Sequence, residues 1–438
     1  MLILAGVVAA LLVLYFLGVH VAAVLGVIAI GLMGFVSDRP LWEMTGLIAW
    51  NVGTTHVLVA VPMFIFMGEL LLRGGLTEQM YRAFTAWFRW LPGGLLQANI
   101  ATCAAFAAMC GSTAATAATI SRVALPSFRA RGYNEPLVVG SLAGGGTLGI
   151  LIPPSIILIV YGVLAEESIG ALYMAGVIPG LLLALLFMTV IAVIALAKPS
   201  LAPREPAIAW SEKLRLSLAI FPVAALVFLV LGTIYLGVAT PTESASLGVV
   251  GAFILAAVSG KLNRAMLRET FLNTVNTTAM VILIVTAAFM LNFVLAILGV
   301  PQALARGVSN LGWGPTEILW LLILFYLLMG TFMDEYSMLV TTVPVVLPII
   351  KAIGVDLVWF GILITVLVEV ALISPPHGLN LFVLHNVRMQ SAGPGGVRGT
   401  MLDLYLGVLP FILVMFLLIA LLMAFPAIAT WLPSTMRR

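Results

Sequence analysis

The chain has 438 residues, of which 63% are hydrophobic and only 8% charged, and its mean hydropathy is +1.20. A soluble domain carries about 25% charged residues, so this balance excludes an ordinary soluble fold and places the chain in a lipid bilayer as a polytopic membrane protein. The formal net charge of +3 says little by itself, and no nucleic-acid partner is expected.

Apolar runs of about 17 to 25 residues are long enough to cross the hydrocarbon core as helices. Such runs lie near 2–17, 19–36, 56–72, 95–110, 172–197, 214–232, 236–258, 271–299, 315–332, 357–373 and 401–425. They predict about eleven transmembrane helices, give or take about two. Backbone groups that face lipid must be satisfied within their own segment, and the period is helical, so a barrel is excluded and the fold class is all-α. The first run begins at Met1-Leu2-Ile3-Leu4, without a basic region before it or a small-residue cleavage site after it. It reads as an uncleaved membrane entry. Cys103 and Cys110 are seven apart on one face of an apolar helix, which points to packing and away from a disulfide or a metal site.

A motif occurs twice. Leu125-Pro126, Gly132 and Pro153-Pro154 recur as Leu347-Pro348, Gly354 and Pro375-Pro376, every position displaced by 222 residues. Between the copies, Lys198 to Arg215 is the longest polar, Pro-containing stretch and reads as a linker. The basic residues Arg122, Arg129, Arg131, Lys261, Arg264 and Arg268 are placed most simply on the cytoplasmic side, whereas the loop of the second copy holds only Lys351 and Asp356. That asymmetry suggests an inverted repeat, with the first re-entrant element opening from the cytoplasm and the second from the opposite face; a parallel repeat with uneven loop charges stays open. The expected division is 1–90 for amino-terminal helices, 91–197 for a first repeat, 198–270 for a linker with further helices, 271–400 for a second repeat and 401–438 for a carboxy-terminal helix.

The chemistry gathers where these repeats are interrupted. Tandem prolines remove two backbone donors and clash with the preceding turn, so carbonyls upstream of Pro153 and Pro375 lose their partners. Inside a membrane such carbonyls need a cation, water or a polar side chain. Sodium favours oxygen ligands, and the first repeat offers the hydroxyls of Ser112, Thr113, Thr116 and Ser155. The second offers Thr331, Asp334, Ser374 and Asn380, with Asp334 equivalent to Ser112. The candidate sodium set is Ser112, Thr113, Thr116, Asp334 and Asn380. Asp334 is the leading functional acid, because a carboxylate within an apolar segment costs about 3 kcal/mol and calls for a partner or cation; a carboxylate at a helix end in headgroup water is the alternative. Glu369 is equivalent to Thr147, so both face a central cavity, or Glu369 is a buried acid satisfied by a neighbouring helix. His377 either touches substrate or is structural. Glu69 and Arg73 read as a helix-end pair, and Arg122 as a topology anchor or a carboxylate ligand.

At this point the residues resemble a known family, the large membrane subunit of the tripartite ATP-independent periplasmic (TRAP) transporters, from about Pro62 onward. The carrying stretches are PMFIFMGELLLRGG (62–75), CGSTAATAATI (110–120), GYNEPLVVGSLAGGGTLGILIPPSIILIVYG (132–162), MAGVIPGLL (174–182), ATPTESASLG (239–248), GTFMDEYSMLVTTVPVVLPI (330–349) and SPPHGLNLFVL (374–384). The resemblance implies an elevator transporter of the inner membrane, in which a transport domain with two re-entrant helical hairpins, at about 95–131 and 315–352, moves against a fixed scaffold that includes the helices of 1–90 and of 198–270. It also implies an organic anion, usually a carboxylate, delivered by a periplasmic substrate-binding protein, Na+ as coupling ion, and a small four-helix membrane subunit. No such extension precedes Met1, so that subunit is expected as a separate chain meeting the amino-terminal helices. Thr116 stands where sialic-acid-type members tend to have an acid, and His377 where a small apolar residue is common. A stand-alone sodium/dicarboxylate carrier is the alternative. No polar pore stripe, HExxH or GxxxxGK[ST] motif is present, so a channel, an intramembrane enzyme and an ATP-driven pump are not expected. No cofactor is expected.

Overall fold

The computed structural model describes residues 2–436 apart from 204, 207, 219, 311, 377 and 392–398. The described residues form helices and no strand. Six helices are long and apolar enough to cross a bilayer: His56–Arg73, Ile169–Ala197, Pro241–Val258, Arg264–Ile297, Glu335–Ala352 and Met401–Ala424. Two bent pairs, Glu135–Leu151 with Ile156–Ala165 and Trp210–Ser217 with Phe221–Tyr235, raise the number to eight if each is one span. Fewer helices therefore meet the length criterion than there are apolar runs. The runs at 2–17, 19–36, 95–110, 315–332 and 357–373 become helices of 10–17 residues. At about 1.5 Å per residue these are about 15–25 Å long, short of a hydrocarbon core of about 30 Å.

The 222-residue register extends from single residues to whole elements. Thr113–Ala130 corresponds to Glu335–Ala352, and Glu135–Leu151 to Leu357–Ile373, with matching starts and ends. Their N-caps correspond as well. Ser112 accepts from the Ala115 N–H and Asp334 from that of Ser337, while Asn134 accepts from Leu137 at 3.2 Å and Asp356 from Trp359 at 2.7 Å. Each cap satisfies a donor that the first helical turn cannot. The turns between the paired helices pass through Gly132 (φ +70°) and Gly354 (φ +71°), a left-handed conformation that a side chain would strain.

The two broken helices run in opposite directions. Arg388 Nε lies 2.7 Å from Glu135 Oε1, so the end of the second broken helix sits beside the start of the first. At the other end, Asp356, which caps the second, lines a single cavity with Glu166 and Glu167, which follow the first. The halves after the breaks cross over: Ile156–Ala165 packs on Glu335–Ala352 of the other repeat, and Leu379–Gln390 packs on Thr113–Ala130.

Outside this pair of repeats, His56–Arg73, Pro241–Val258 and Arg264–Ile297 pack together. The Glu69–Arg73 pair forms at 3.0 Å and extends across helices, because Arg73 also bonds Glu269 and the Asn273 amide donates to Glu69 at 3.3 Å. The polar stretch after Lys198 is strapped to the first repeat: buried Glu205 pairs with Arg89 at 2.8 Å and Arg131 at 3.5 Å, and the Tyr133 hydroxyl donates to the Pro203 carbonyl. Cys103 and Cys110 are free and buried.

Without water to drive it, helix association in a bilayer depends on close packing of small residues. A methyl group on Gly140 would fall 1.9 Å from the Gly407 carbonyl oxygen, so the backbones of Glu135–Leu151 and Met401–Ala424 are in contact there. Gly140→Ala is expected to lower the unfolding midpoint of the purified protein in detergent, at a cost of about 1–3 kcal/mol. An unchanged midpoint would mean that these helices do not meet at Gly140.

Candidate functional site

Each hairpin folds back onto the broken helix of its own repeat. In the first, Leu95–Cys110 and Thr113–Ala130 are joined at Gly111, whose φ is +58°. A Cβ at Gly111 would lie 2.5 Å from the Pro154 carbonyl oxygen, so the tip rests against the Pro-Pro break. In the second, Pro315–Met329 and Glu335–Ala352 are joined by 330–334, and a Cβ at Gly330 would meet Ala371 at 2.3 Å, just before the second break.

The tips meet each other through equivalent residues. Thr113 Oγ1 donates to Glu335 Oε2 at 3.0 Å, and the two residues are 222 apart. A contact between a position and its own repeat equivalent lies on the pseudo-two-fold axis that relates the repeats. Both side chains are buried. Reading the sequence around this motif singled out Asp334 and passed over its neighbour; the available signal was the equivalence of Glu335 with Thr113.

Asp334 is half-buried and caps the second hairpin's outer arm, accepting from the Ser337 N–H at 3.3 Å and from the Ser337 hydroxyl. Its own N–H donates to the Tyr15 hydroxyl at 3.2 Å, and Phe16 packs edge-on to Phe332, so the amino-terminal helix grips this tip. Ser112 and Ser155 cap their helices in the same way, Ser155 accepting from Leu158 at 3.3 Å. Thr116 donates to the Ser112 carbonyl at 2.7 Å and Thr147 to that of Gly144 at 2.8 Å. Thr331 donates to Leu328 and Ser374 to Val370, each at 2.7 Å. A hydroxyl that has given its proton to a carbonyl keeps lone pairs for a cation, so these oxygens retain the capacity to ligate sodium. Pro153 and Pro375 sit in the breaks that follow Leu151 and Ile373. Asn380 is fully buried and neither of its amide atoms has a partner; Glu369 is fully buried with both oxygens unpartnered. His377 lies outside the described residues. Arg122 is exposed.

The ends of the repeats differ in charge. Around Glu135 lie Arg129 at 3.3 Å and the buried Arg388, which also reaches Asp403 at 3.2 Å and the Thr400 carbonyl. Arg89 and Arg131 flank Glu205 at the same end of the first repeat. There, burial pushes the Tyr133 phenol up to about 12. The opposite end opens into a cavity of about 1110 Å³ whose lining includes His56, Glu166, Glu167 and Asp356. Burial, and then the neighbouring Asp356 carboxylate, hold the Glu167 carboxyl above its usual range.

Residues 8–428 match the family model described as the tripartite ATP-independent periplasmic transporter, DctM component. Among curated proteins, the C4-dicarboxylate TRAP transporter large permease protein DctM of Vibrio cholerae is 32% identical, with 95% of this chain and 94% of that protein covered. The sialic acid TRAP transporter large permease protein SiaM of the same organism is also 32% identical, with 86% of each covered. Among solved structures, the YdaH transporter of Alcanivorax borkumensis superimposes with a TM-score of 0.64 at 16% identity, over 95% of this chain and 98% of that one, and shows the fold alone.

The hairpin contact yields a direct test. A hydrogen bond to a charged group contributes about 1.5–3 kcal/mol. In a cycle of Thr113→Ala, Glu335→Ala and the double variant, the unfolding free energies are expected to show a coupling of at least about 1 kcal/mol. Additive losses would show that the two tips do not touch.

Proposed function

The chain belongs to the family of the DctM component of tripartite ATP-independent periplasmic transporters, and from that premise we propose that it takes up an organic anion, handed over by a periplasmic binding protein, in symport with sodium. As the large permease of such a system it is a multi-pass membrane transporter and not an enzyme. The observation that carries the proposal is the meeting of two hairpin tips at the breaks of two antiparallel helices, with Thr113 bonded to Glu335.

That arrangement collects helix ends, freed carbonyls and hydroxyls in one place, the materials from which transporters build ion and anion sites. Ser112, Thr113, Thr116, Asp334 and Asn380 are proposed to hold sodium; the breaks at Pro153 and Pro375, with Thr147, Ser155, Thr331, Ser374 and His377, border the substrate path. The relatives named for a dicarboxylate and for sialic acid are each 32% identical to this chain, over 95% and 86% of it. A carboxylate is the feature that those two named substrates share, and the binding protein selects among carboxylates.

The antiparallel course of the broken helices supports an inverted repeat. By the positive-inside rule, the end with Arg89, Arg129, Arg131 and Arg388 faces the cytoplasm and the end with Glu166, Glu167 and Asp356 faces the periplasm, in an inner membrane. In an elevator cycle, the packed hairpins and broken helices move as one body against a scaffold made from His56–Arg73, Pro241–Val258 and Arg264–Ile297, with the small four-helix subunit bound to the amino-terminal helices. Each sodium ion entering a negative-inside cell releases about 2.3 kcal/mol per 100 mV, which drives accumulation of the anion.

Reconstitution tests this reading. Proteoliposomes with this chain, its small subunit and a binding protein loaded with labelled succinate or sialic acid are expected to show uptake only under an inward sodium gradient. Removing a charged oxygen ligand costs about 1.5–3 kcal/mol, so Asp334→Ala is expected to raise the half-saturating sodium concentration by about ten- to a hundred-fold. Uptake of free substrate by this chain alone would make it a stand-alone carrier and overturn the proposal.

A further inference from the structure

At three equivalent places the repeats differ in the same sense. The first repeat carries Ser112, Thr113 and Thr147 where the second carries Asp334, Glu335 and Glu369. Two of the three acids have partners: Asp334 accepts from Ser337, and Glu335 from Thr113. Glu369 has none. It is 0% exposed, about one turn before the end of the apolar helix Leu357–Ile373, and neither carboxylate oxygen has a hydrogen-bond partner.

A buried carboxylate without a counter-ion is untenable in a low-dielectric interior, and such a group sheds its charge by binding a cation or a proton. Sodium needs several oxygen ligands at once, whereas no polar group is hydrogen-bonded to either carboxylate oxygen of Glu369. A proton needs only the carboxyl group itself. Charged groups on the helices packed against Leu357–Ile373 are Glu135, Glu317, Glu335, Lys351, Arg388 and Asp403, all near helix ends, with His385 further inside. Neither these nor the phenols of Tyr161, Tyr173, Tyr326, Tyr336 and Tyr405 on the same helices form a hydrogen bond with Glu369. Packing does not demand an acid at this position, because Thr147 fills the equivalent place with a hydroxyl satisfied by its own helix through Gly144.

We propose that Glu369 is a proton-binding site of the transport machinery, held as a neutral carboxylic acid within the bundle and exchanging its proton with water during the transport cycle. The inference rests on the transport reading above for the cycle, but not for the site. The O–H bond breaks when the carboxyl meets water, the proton passes to water, and the carboxylate takes one back before it is buried again.

Infrared spectroscopy of the purified chain tests the site without transport. Near neutral pH a protonated carboxyl C=O stretch is expected in the wild type and lost in Glu369→Gln. No band assignable to Glu369 would mean that it is ionised, which overturns the proposal. Should the Gln variant not fold, Glu369→Asp keeps the acid, moves the band, and is read in the same way. In the reconstituted system with labelled succinate or sialic acid, wild-type uptake is expected to fall by about tenfold per pH unit once the proton is lost, while the Gln variant keeps a flat profile there. Matching pH profiles in the two would make Glu369 a purely structural acid and overturn its role in the cycle. Absence of uptake in the wild type would instead fail the transport reading and leave the infrared result to decide the site.

Discussion

A helix that stops inside a bilayer must give its last carbonyls and first N–H groups to something other than bulk water. This chain stops helices there four times, at two hairpin turns and two Pro-Pro breaks, and the rest of the architecture answers that constraint. Ser112, Ser155 and Asp334 cap the helices that restart. The first hairpin turn lies on the Pro154 carbonyl, and the second lies against the helix that ends at Ile373. Because each tip supplies what the neighbouring break lacks, hairpins and broken helices are obliged to form one packed unit.

Much of this architecture was legible in the residues because backbone punctuation has few solutions. Proline, left-handed glycine and short polar caps each have a narrow structural meaning, so five matched positions foretold helices that start and stop in register over the whole repeat. Span counting was less reliable for a related reason: composition reports that a run is apolar but not where it ends. Leu95–Cys110 and Pro315–Met329 are as apolar as true spans, yet glycines and polar turns cut them short before they cross.

The site was legible in outline and not in its pairings. Asp334 drew attention as a carboxylate in an apolar run; the structure shows it capping the second hairpin's arm and shows its neighbour Glu335 making the contact across the axis. Which of two adjacent acids points into the bundle depends on the helix starting one residue later, a register that hydrophobicity does not report. Arg388 was equally hidden, since its burial among Glu135, Asp403 and the Thr400 carbonyl needs segments from both repeats and the last helix. A lone Arg in a loop-like sequence carries no sign of such neighbours. The linker, read as a divider between repeats, proved to be bound to the first of them through Glu205.

The symmetry of the two repeats is a symmetry of backbone and not of charge. Where one copy has hydroxyls at 112, 113 and 147, the other has carboxyls at 334, 335 and 369. A molecule whose halves exchange conformations would visit two shapes that mirror one another, while its acids would always ride on the same half. In such an exchange the two shapes would differ in energy even with nothing bound, and the empty protein would have a resting side from which to wait for its cargo.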